Sequence, residues 1–314
     1  MKRFRIGMLG AAALACSLAA SAQTPWYPSK WGANDEIGAA NYLNAAGALQ
    51  ASKLVKTGKV YSLGITVSTT TPAYPPRTCS IYIVQPGQTG SAEGLGPTHT
   101  TYNDDILNCW NGIGTQIDGL GHIGVGDRYY NGAKWGEFAT IGGLKKLGIE
   151  KIPPMVARGV MLDMAAHYGV EVVKEGTAFN RAEIDEVAKK QGVEIRQGDI
   201  VIFHTGWLSL IEKDPKRYGS VEPGLGRDGA RYLVSKGVVA IGADTWGLEA
   251  IPFEKDAGIF EVHQILLPMS GTYILENINT AELAKDKAYE FMFVLGQNKY
   301  QGAVQSMINP VAIR

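Results

Sequence analysis

The sequence has 314 residues, of which 45% are hydrophobic and 19% charged, a composition that suits one large or two small domains with a buried core. Basic and acidic residues number 30 each; the first 22 residues hold three of the basic ones and no acid, so the remainder carries 27 against 30, a net charge of −3. This balance argues against nucleic acid and anionic membranes as partners, and we expect a small-molecule partner.

The first 22 residues differ in composition from the rest of the chain. They begin M-K-R-F-R, continue with an apolar run too short to span a membrane, and end in A-S-A. This pattern predicts a signal peptide over residues 1–22, cut before Gln23, and a mature domain over residues 23–314. We therefore expect a periplasmic or secreted protein. A lipoprotein signal with Cys16 as the lipidated residue is the alternative, but the preceding A-L-A fits it poorly.

The first half of the chain predicts few regular elements and several loops. A short helix is expected to open at Asn34 or Asp35, and residues 71–77 hold three prolines and predict a loop. The other elements predicted here are a helix over 45–54, strands over 59–70 and 80–85, a mobile surface loop over 87–97 and a short helix over 143–149.

The second half predicts alternating strands and helices. The clearest helix covers 180–191, with Asn180 as its N-cap, Glu183 in the capping-box position and Gly192 at its end. The other elements are strands over 156–164, 199–205, 238–244, 272–275 and 291–295 and a helix over 229–236. Strands and helices at this spacing indicate βαβ units, so we predict an α/β fold.

The stretch 111–124, N-G-I-G-T-Q-I-D-G-L-G-H-I-G, holds five glycines, which let backbone approach backbone or ligand closely. Asp118 and His122 lie four residues apart, and Gln116 and Asp118 would share one side of an extended segment. An amide, a carboxylate and an imidazole aimed at one point would form a metal or acid–base site. The alternative is a tight turn with a hydrogen-bonded pair.

Other candidate residues lie outside this stretch. His99 comes shortly before it and either lines the same pocket or is an exposed loop histidine. His204 and Asp244 follow two predicted strands, where polar side chains gather at α/β sites, although each also fits a plain hydrogen-bonding role. His263 and Glu276 flank a predicted turn that would bring them together.

Two cysteines remain after the predicted signal peptide, Cys79 and Cys109. In an oxidising compartment they would form a disulfide that staples the segment leading into the Gly-rich stretch. Two buried free thiols are the alternative.

Several segments in the same order resemble a known family, the cyclase or bacterial kynurenine formamidase-like metal-dependent hydrolases. These segments include W-G-A-N-D-E-I-G-A-A-N-Y-L, G-T-Q-I-D-G-L-G-H, A-R-G-V-M-L-D-M, G-A-D-T-W and H-Q-I-L-L. The resemblance extends from about residue 31 to the C-terminus. It implies one α/β domain with a mixed, curved β-sheet flanked by helices, and a homodimer or homotetramer.

The family signature is His-x-Gly-Thr-His-x-Asp-x-x-x-His, and this chain departs from it at two positions. Gly112 and Gln116 stand where the signature has its first two histidines. The matching positions are Gly114, Thr115, Asp118 and His122. By resemblance His122 would be the catalytic acid–base, and the metal ligands would be Gln116, Asp118, His263 and Glu276.

Three oxygen donors and one nitrogen form a harder ligand set than a His-rich zinc site. Such a set favours Mn²⁺, Mg²⁺ or Ca²⁺ over Zn²⁺. We therefore expect one divalent metal ion, manganese in the first place, with magnesium or zinc as alternatives. A metal-free site remains open.

The function that follows is metal-dependent hydrolysis of an amide, a cyclic amide or a lactone. His122 and Asp118 would be the catalytic residues, and His99, His204 and Trp246 would line the substrate pocket, although Trp246 also fits ordinary core packing. The sequence contains no G-x-S-x-G motif, the usual mark of a serine hydrolase. The alternatives are a periplasmic binding protein without catalysis and a metal-free lyase or cyclase.

Overall fold

One mixed sheet of nine strands organises the part of the chain that the computed structural model describes, residues 26–85 and 94–314. In chain order the strands are β1 (Val60–Ser62), β2 (Cys79–Val84), β3 (Asp104–Cys109), β4 (Gln116–Asp118), β5 (Ala139–Thr140), β6 (Gly143–Leu144), β7 (Met155–Asp163), β8 (Ala178–Phe179), β9 (Ile200–His204), β10 (Gly224–Leu225), β11 (Ala240–Ala243), β12 (Tyr273–Glu276), β13 (Glu290–Leu295), β14 (Gln305–Met307) and β15 (Val311–Ile313). The helices are α1 (Ala45–Ser52), α2 (Trp135–Phe138), α3 (Met164–Tyr168), α4 (Arg181–Gln191), α5 (Leu210–Lys213), α6 (Pro215–Tyr218), α7 (Arg227–Lys236), α8 (Glu261–Ser270) and α9 (Ala281–Lys285).

The strand order in the main sheet is β1-β15-β13-β7-β9-β11-β12-β4-β14. The central strands β7, β9, β11 and β12 run parallel, and the strands outside them pair antiparallel. Helix α1 packs against β7 and β13, and α7 lies between α4 and α8. The prediction of an α/β domain with a mixed, curled sheet flanked by helices is confirmed.

The central strands are apolar because both their faces are covered. Side chains of β9 from Ile200 to Phe203 are completely buried, as are those of Ala240 and Ile241 in β11. Such near-continuous apolar runs are typical of buried parallel strands. The predicted strand over 199–205 is therefore found at β9, and the one over 238–244 at β11.

Helix α4 begins where its capping signal predicts. The Asn180 side chain and Glu183 form the capping box, and Gly192 ends the helix in the left-handed region with φ of 69°. Helix α7 likewise ends at Gly237, with φ of 77°. Both predicted helices are confirmed because their ends are determined by local backbone chemistry.

Three expectations about local structure are corrected. The strand predicted over 59–70 contracts to β1, since its pairing with β15 ends at Ser62. The short helix predicted over 143–149 is wrong, because Gly143–Leu144 is a strand with Gly143 at φ of 118°. Helix α8 was missed, since a turn was predicted between His263 and Glu276, where most of the helix lies.

Strands β2 and β3 form a two-stranded ribbon apart from the main sheet. Cys79 and Cys109 face each other in its register and are joined by a disulfide, so the bridged alternative holds. The ribbon exposes apolar side chains, among them Ile81, Tyr82 and Leu107. A two-stranded ribbon is marginally stable alone, so the disulfide holds its base together.

Two sequence predictions concern residues outside the described ranges. The signal peptide lies outside them entirely, and residues 86–93 of the loop predicted over 87–97 do as well. Within the described residues, no helix has the length and apolar character needed to cross a membrane.

Replacement of both Cys79 and Cys109 by serine is expected to loosen the ribbon. The bridge closes a loop with a sequence separation of 30 residues, so its loss should reduce stability by at most about 3–4 kcal/mol, the loop-closure term for this length. Limited proteolysis should then cut within 80–108 faster than in the wild type. Equal cleavage rates in the oxidised wild type and the double variant would contradict this role.

Candidate metal centre and catalytic site

Strand β4 carries two of the predicted site residues, and its neighbours supply their partners. It lies between β12 and β14, so Gln116 is opposite Glu276 and Asp118 is opposite Gln305. Residues directly opposite in antiparallel strands have adjacent side chains. Accordingly Gln116 Nε2 donates a hydrogen bond to Glu276 Oε2, and Gln305 Nε2 donates to Asp118 Oδ1 at 2.7 Å.

Gly114 and Thr115, which match the signature, attach β4 to the chain after β12. A Cβ on Gly114 would lie 2.4 Å from a methyl group of Val67, and φ is 68° there, so only glycine fits. Thr115 Oγ1 donates to the carbonyl oxygen of Asn277 at 2.6 Å, and Asn277 Nδ2 donates to the carbonyl oxygen of Gly114 at 2.8 Å. These bonds keep the Gly-rich segment beside Glu276.

His263 lies in the first turn of α8 and is oriented by Glu249. The Glu249 carboxylate accepts from the His263 backbone N–H at 3.2 Å and lies 2.6 Å from His263 Nδ1. This contact places the Nδ1 proton towards Glu249 and turns Nε2 towards β4. A carboxylate behind an imidazole is the usual support of a histidine metal ligand.

Asp118, His263 and Glu276 converge on one point. One ligand atom from each lies within 4.8 Å of the others, and all three side chains are buried. His263 Nε2 lies 3.3 Å from Glu276 Oε1 and 3.9 Å from Asp118 Oδ2. Asp118 Oδ2 and Gln116 Oε1 are buried with no hydrogen-bond partner in the described structure. Bare buried oxygens beside an imidazole are what a cation would satisfy, so this donor set fits a divalent metal.

The electrostatics of the cluster reflect two carboxylates held close together. Burial and the nearby Asp118 raise the pKa of Glu276 above its usual value. Burial disfavours the imidazolium of His263, but hydrogen bonds to Glu249 and Glu276 outweigh this and raise its pKa. The cluster therefore attracts positive charge at its centre.

His122 lies beside the cluster because the chain turns back after Asp118. The His122 N–H donates to the carbonyl oxygen of Gly119 at 3.0 Å, and His122 Nε2 lies 3.9 Å from Asp118 Oδ2. Burial lowers the pKa of His122, with the positive charges of His263 and Arg77 adding to the effect and Asp118 opposing it. A neutral imidazole at neutral pH is suited to accept a proton.

A cavity of about 150 Å³ opens onto His122, His263 and Glu276. Its other walls include Tyr74 and Trp246, whose rings stack with centroids 5.5 Å apart, and Phe260. The predicted role of Trp246 as a pocket wall agrees with this placement. Trp246 Nε1 is buried and has no hydrogen-bond acceptor among the described residues.

Two predicted pocket residues lie elsewhere. His204 lines a different cleft, where its Nδ1 lies 2.7 Å from Thr280 Oγ1 and 3.4 Å from Asp244 Oδ2. Asp244 is occupied with the N–H groups of Thr205 and Gly206, so it supports the turn after β9. His99 is exposed in a turn with φ of 51° and does not contribute to the cavity walls.

Sequence reasoning missed several residues at the site, namely Tyr74, Arg77, Glu222, Glu249, Phe260 and Gln305. The Glu222 carboxylate accepts from the N–H groups of Trp246 and Gly247, which positions Trp246. Glu249 follows closely on the G-A-D-T-W segment, a position that could have drawn attention. Tyr74 and Arg77 belong to a proline-rich loop with no local signal of chemistry.

Comparison with known proteins gives the family. The Cyclase family model matches residues 61–250, which is more than half of the chain. A solved structure described as a novel cyclase is 30% identical, with a TM-score of 0.80, and the match covers 91% of this chain and 98% of that one. The protein belongs to the cyclase family. No curated protein matches the sequence.

More distant structures share the fold. An isatin hydrolase bound to the product analogue thioisatinate is 19% identical with a TM-score of 0.59, over 86% of this chain and 98% of that one. A structure described as a potential metal-dependent hydrolase with cyclase activity is 17% identical with a TM-score of 0.54, over 81% and 98%.

Replacement of Glu249 by alanine is expected to weaken metal binding by about 10- to 100-fold, the usual effect of losing the group behind a ligating histidine. The reason is that His263 would lose the contact that orients Nε2. Isothermal titration with Mn²⁺ measures this. The exposed Glu186, replaced by alanine, is the control for loss of one acidic group. An unchanged affinity in the Glu249 variant would exclude this role.

Replacement of Glu222 by glutamine is expected to change the pH dependence of stability. Burial and the nearby Glu276 raise the pKa of Glu222 well above its usual value. Wild-type stability should therefore fall as the pH rises from about 4.5 towards the folded-state pKa, by at most about 1.4 kcal/mol per pH unit. The glutamine variant should lack this component in thermal melts between pH 5 and 8. The exposed Glu194→Gln variant serves as the reference. Parallel curves of stability against pH for the wild type and the Glu222→Gln variant would refute this prediction.

Proposed function

We propose that the protein is a metal-dependent hydrolase that opens an amide, cyclic amide or lactone bond of a small substrate. The observation that carries the proposal is the buried cluster of Asp118, His263 and Glu276 with one bare carboxylate oxygen, and His122 on the wall of the adjoining cavity. Membership of the cyclase family supports an enzyme of this general kind.

The donor set also supports a choice of metal. Two carboxylates and one imidazole, with the Gln116 amide oxygen nearby, are mostly hard oxygen donors, which favour manganese or magnesium over zinc. We propose one divalent ion, manganese in the first place, held by Asp118, His263 and Glu276. When bound, such an ion polarises a carbonyl oxygen and lowers the pKa of water.

The chain's own residues complete the chemistry. Glu249 holds the His263 ring in position, and Gln305 fixes the Asp118 carboxylate through Oδ1, leaving Oδ2 bare. His122 is neutral and sits within reach of the same cavity, so it can take a proton from water and return it to the leaving nitrogen or oxygen. The cavity wall of Trp246, Tyr74 and Phe260 would hold a flat group against the reacting bond.

The size of the cavity limits the part of the substrate that enters it. A cavity of about 150 Å³ elsewhere takes one benzene ring, and this cavity has the same volume, about 150 Å³. We infer that the substrate inserts a single ring or an equally small group. The isatin hydrolase among the related folds is consistent with a ring-opening reaction, although that likeness extends to the fold alone.

We also propose that the protein is periplasmic or secreted and forms a homodimer or homotetramer. The leader-like first 22 residues and the disulfide are in keeping with an oxidising compartment. The ribbon of β2 and β3 exposes Ile81, Tyr82, Ile83 and Leu107, an apolar surface that contact with a second copy would cover. Equilibrium sedimentation would test the assembly.

Replacement of His122 by alanine is expected to reduce kcat by about 100-fold or more, the usual contribution of a general acid–base. Metal content and melting temperature should stay the same, because His122 is not one of the three converging ligands. The assay is a panel of lactones, cyclic amides and N-formyl aromatic amines with Mn²⁺ present, and mass spectrometry of the products. A gain of one water in the product separates hydrolysis from a lyase or cyclase reaction.

His167→Ala is the matched control, because His167 is half-buried on α3 and belongs to neither the cavity walls nor the three converging ligands. Turnover that survives in the His122 variant would contradict the proposed mechanism. Tight binding of a panel compound to the wild type without any turnover would favour the alternative of a binding protein.

A further inference from the structure

Arg77 occupies the space that a side chain at position 112 would need. A Cβ built on Gly112 would lie 2.6 Å from an Arg77 terminal nitrogen and 2.7 Å from Arg77 Cζ. The Gly112 backbone is in an ordinary region that any residue adopts, so the close approach of Arg77, and not backbone strain, explains the glycine. The Arg77 guanidinium can therefore lie against the Gly-rich stretch because residue 112 has no side chain.

The guanidinium is held over Gly112 by local covalent and hydrogen bonds. Arg77 Nη1 donates to the carbonyl oxygen of Gly112 at 2.8 Å. Two residues later Cys79 is bridged to Cys109, and the Trp110 N–H donates to the carbonyl oxygen of Thr78 at 3.1 Å. The disulfide thus fastens the segment carrying Arg77 to the segment carrying Gly112.

Arg77 lacks the carboxylate partner that the half-buried Arg158 and Arg217 have. Arg158 contacts both Asp199 and Glu290, and Arg217 contacts Glu175. Arg77, by contrast, forms no ion pair within the described residues, and its bond to Gly112 uses one of five N–H groups. A partly buried guanidinium without an anion is costly unless a ligand supplies one.

The unpaired charge faces the reaction cavity. Arg77 lines the same cavity as His122, Trp246 and Glu276. Its positive charge acts to lower the pKa of both Glu276 and His122, which agrees with its position beside them. Planar guanidinium groups bind carboxylates through two parallel hydrogen bonds.

We propose that Arg77 is the anion-binding residue of this cavity and that the ligand presents a carboxylate to it beside the aromatic wall. The carboxylate belongs either to the substrate or to the acid that hydrolysis of an amide or lactone releases. This inference depends on the proposed function only for the use of the cavity, because carboxylate binding is measurable without turnover.

The test is isothermal titration of the full mature chain, with Mn²⁺ present, using benzoate and the neutral benzamide as probes. Replacement of Arg77 by methionine should weaken benzoate binding by about 10- to 100-fold, as expected for hydrogen bonds between charged groups. Benzamide binding should change less than threefold. The benzoate affinity of Arg77→Lys should lie between those of the wild type and Arg77→Met, since lysine keeps the charge but loses the bidentate geometry.

Gly112→Ala provides a second, independent variant, because it keeps every charge and displaces the guanidinium. It should weaken benzoate binding selectively in the same way. Arg181→Met is the matched control, since Arg181 is exposed and pairs with Asp185 on α4. Its benzoate affinity should equal that of the wild type.

Several outcomes overturn the inference. They are absent benzoate binding in the wild type at millimolar concentration, equal loss of both probes in the Arg77 variants, and unchanged benzoate affinity in both Arg77→Met and Gly112→Ala. If the product acid competes with benzoate, the carboxylate released by hydrolysis is the ligand of Arg77. If panel substrates that carry a carboxylate are preferred over those without one, the carboxylate of the substrate is the ligand.

Failure of this inference is distinguishable from failure of the proposed function. Hydrolysis that depends on His122, with benzoate affinity independent of Arg77, would leave the hydrolase intact and remove only the anion site. Benzoate binding that depends on Arg77, with no turnover of any panel compound, would leave the anion site intact and remove the hydrolase.

Discussion

Backbone pairing of β4 with β12 and β14 determines where the site is. Strand β4 has only three residues, yet its register places Gln116 against Glu276 and Asp118 against Gln305. A shift of one residue would move Gln116 and Asp118 to the opposite face of the sheet, because side chains alternate along a strand. Every further feature of the cluster, from the bare Asp118 oxygen to the proximity of His122, depends on this register.

The site also depends on supporting groups around the three converging residues. Glu249 orients His263, Gln305 occupies one Asp118 oxygen, and Glu222 positions the backbone of Trp246. The two signature histidines that this chain lacks are not replaced by other histidines at the described site. Gln116 stands at one of these positions and the Arg77 guanidinium lies over the other, Gly112, so the donors are richer in oxygen than the signature implies.

The predicted elements that hold are those with local causes. Helix α4 and its capping box follow from Asn180 and Glu183, and the buried strands β9 and β11 follow from unbroken apolar runs. Helix α8 occupies residues where only a turn was predicted, and β4, with three residues, is too short for any periodicity to be read. The helix expected over 143–149 failed because Gly143 and Leu144 pair with Thr140 and Ala139 in a tight hairpin that the sequence analysis did not predict.

From the residues alone, Asp118, His122 and Gln116 stood out, His263 and Glu276 were candidates, and the spacing of strands and helices indicated an α/β fold. The family resemblance added the roles of metal ligand and acid–base. The spacing of residues along a chain can show which side chains are available for chemistry. Only the tertiary structure decided that His263 reaches the cluster from a helix, that Glu249 and Arg77 join the site, and that His204 belongs to another cleft. The reason is that these contacts join segments far apart in the chain, and their geometry depends on the register and packing of the whole sheet.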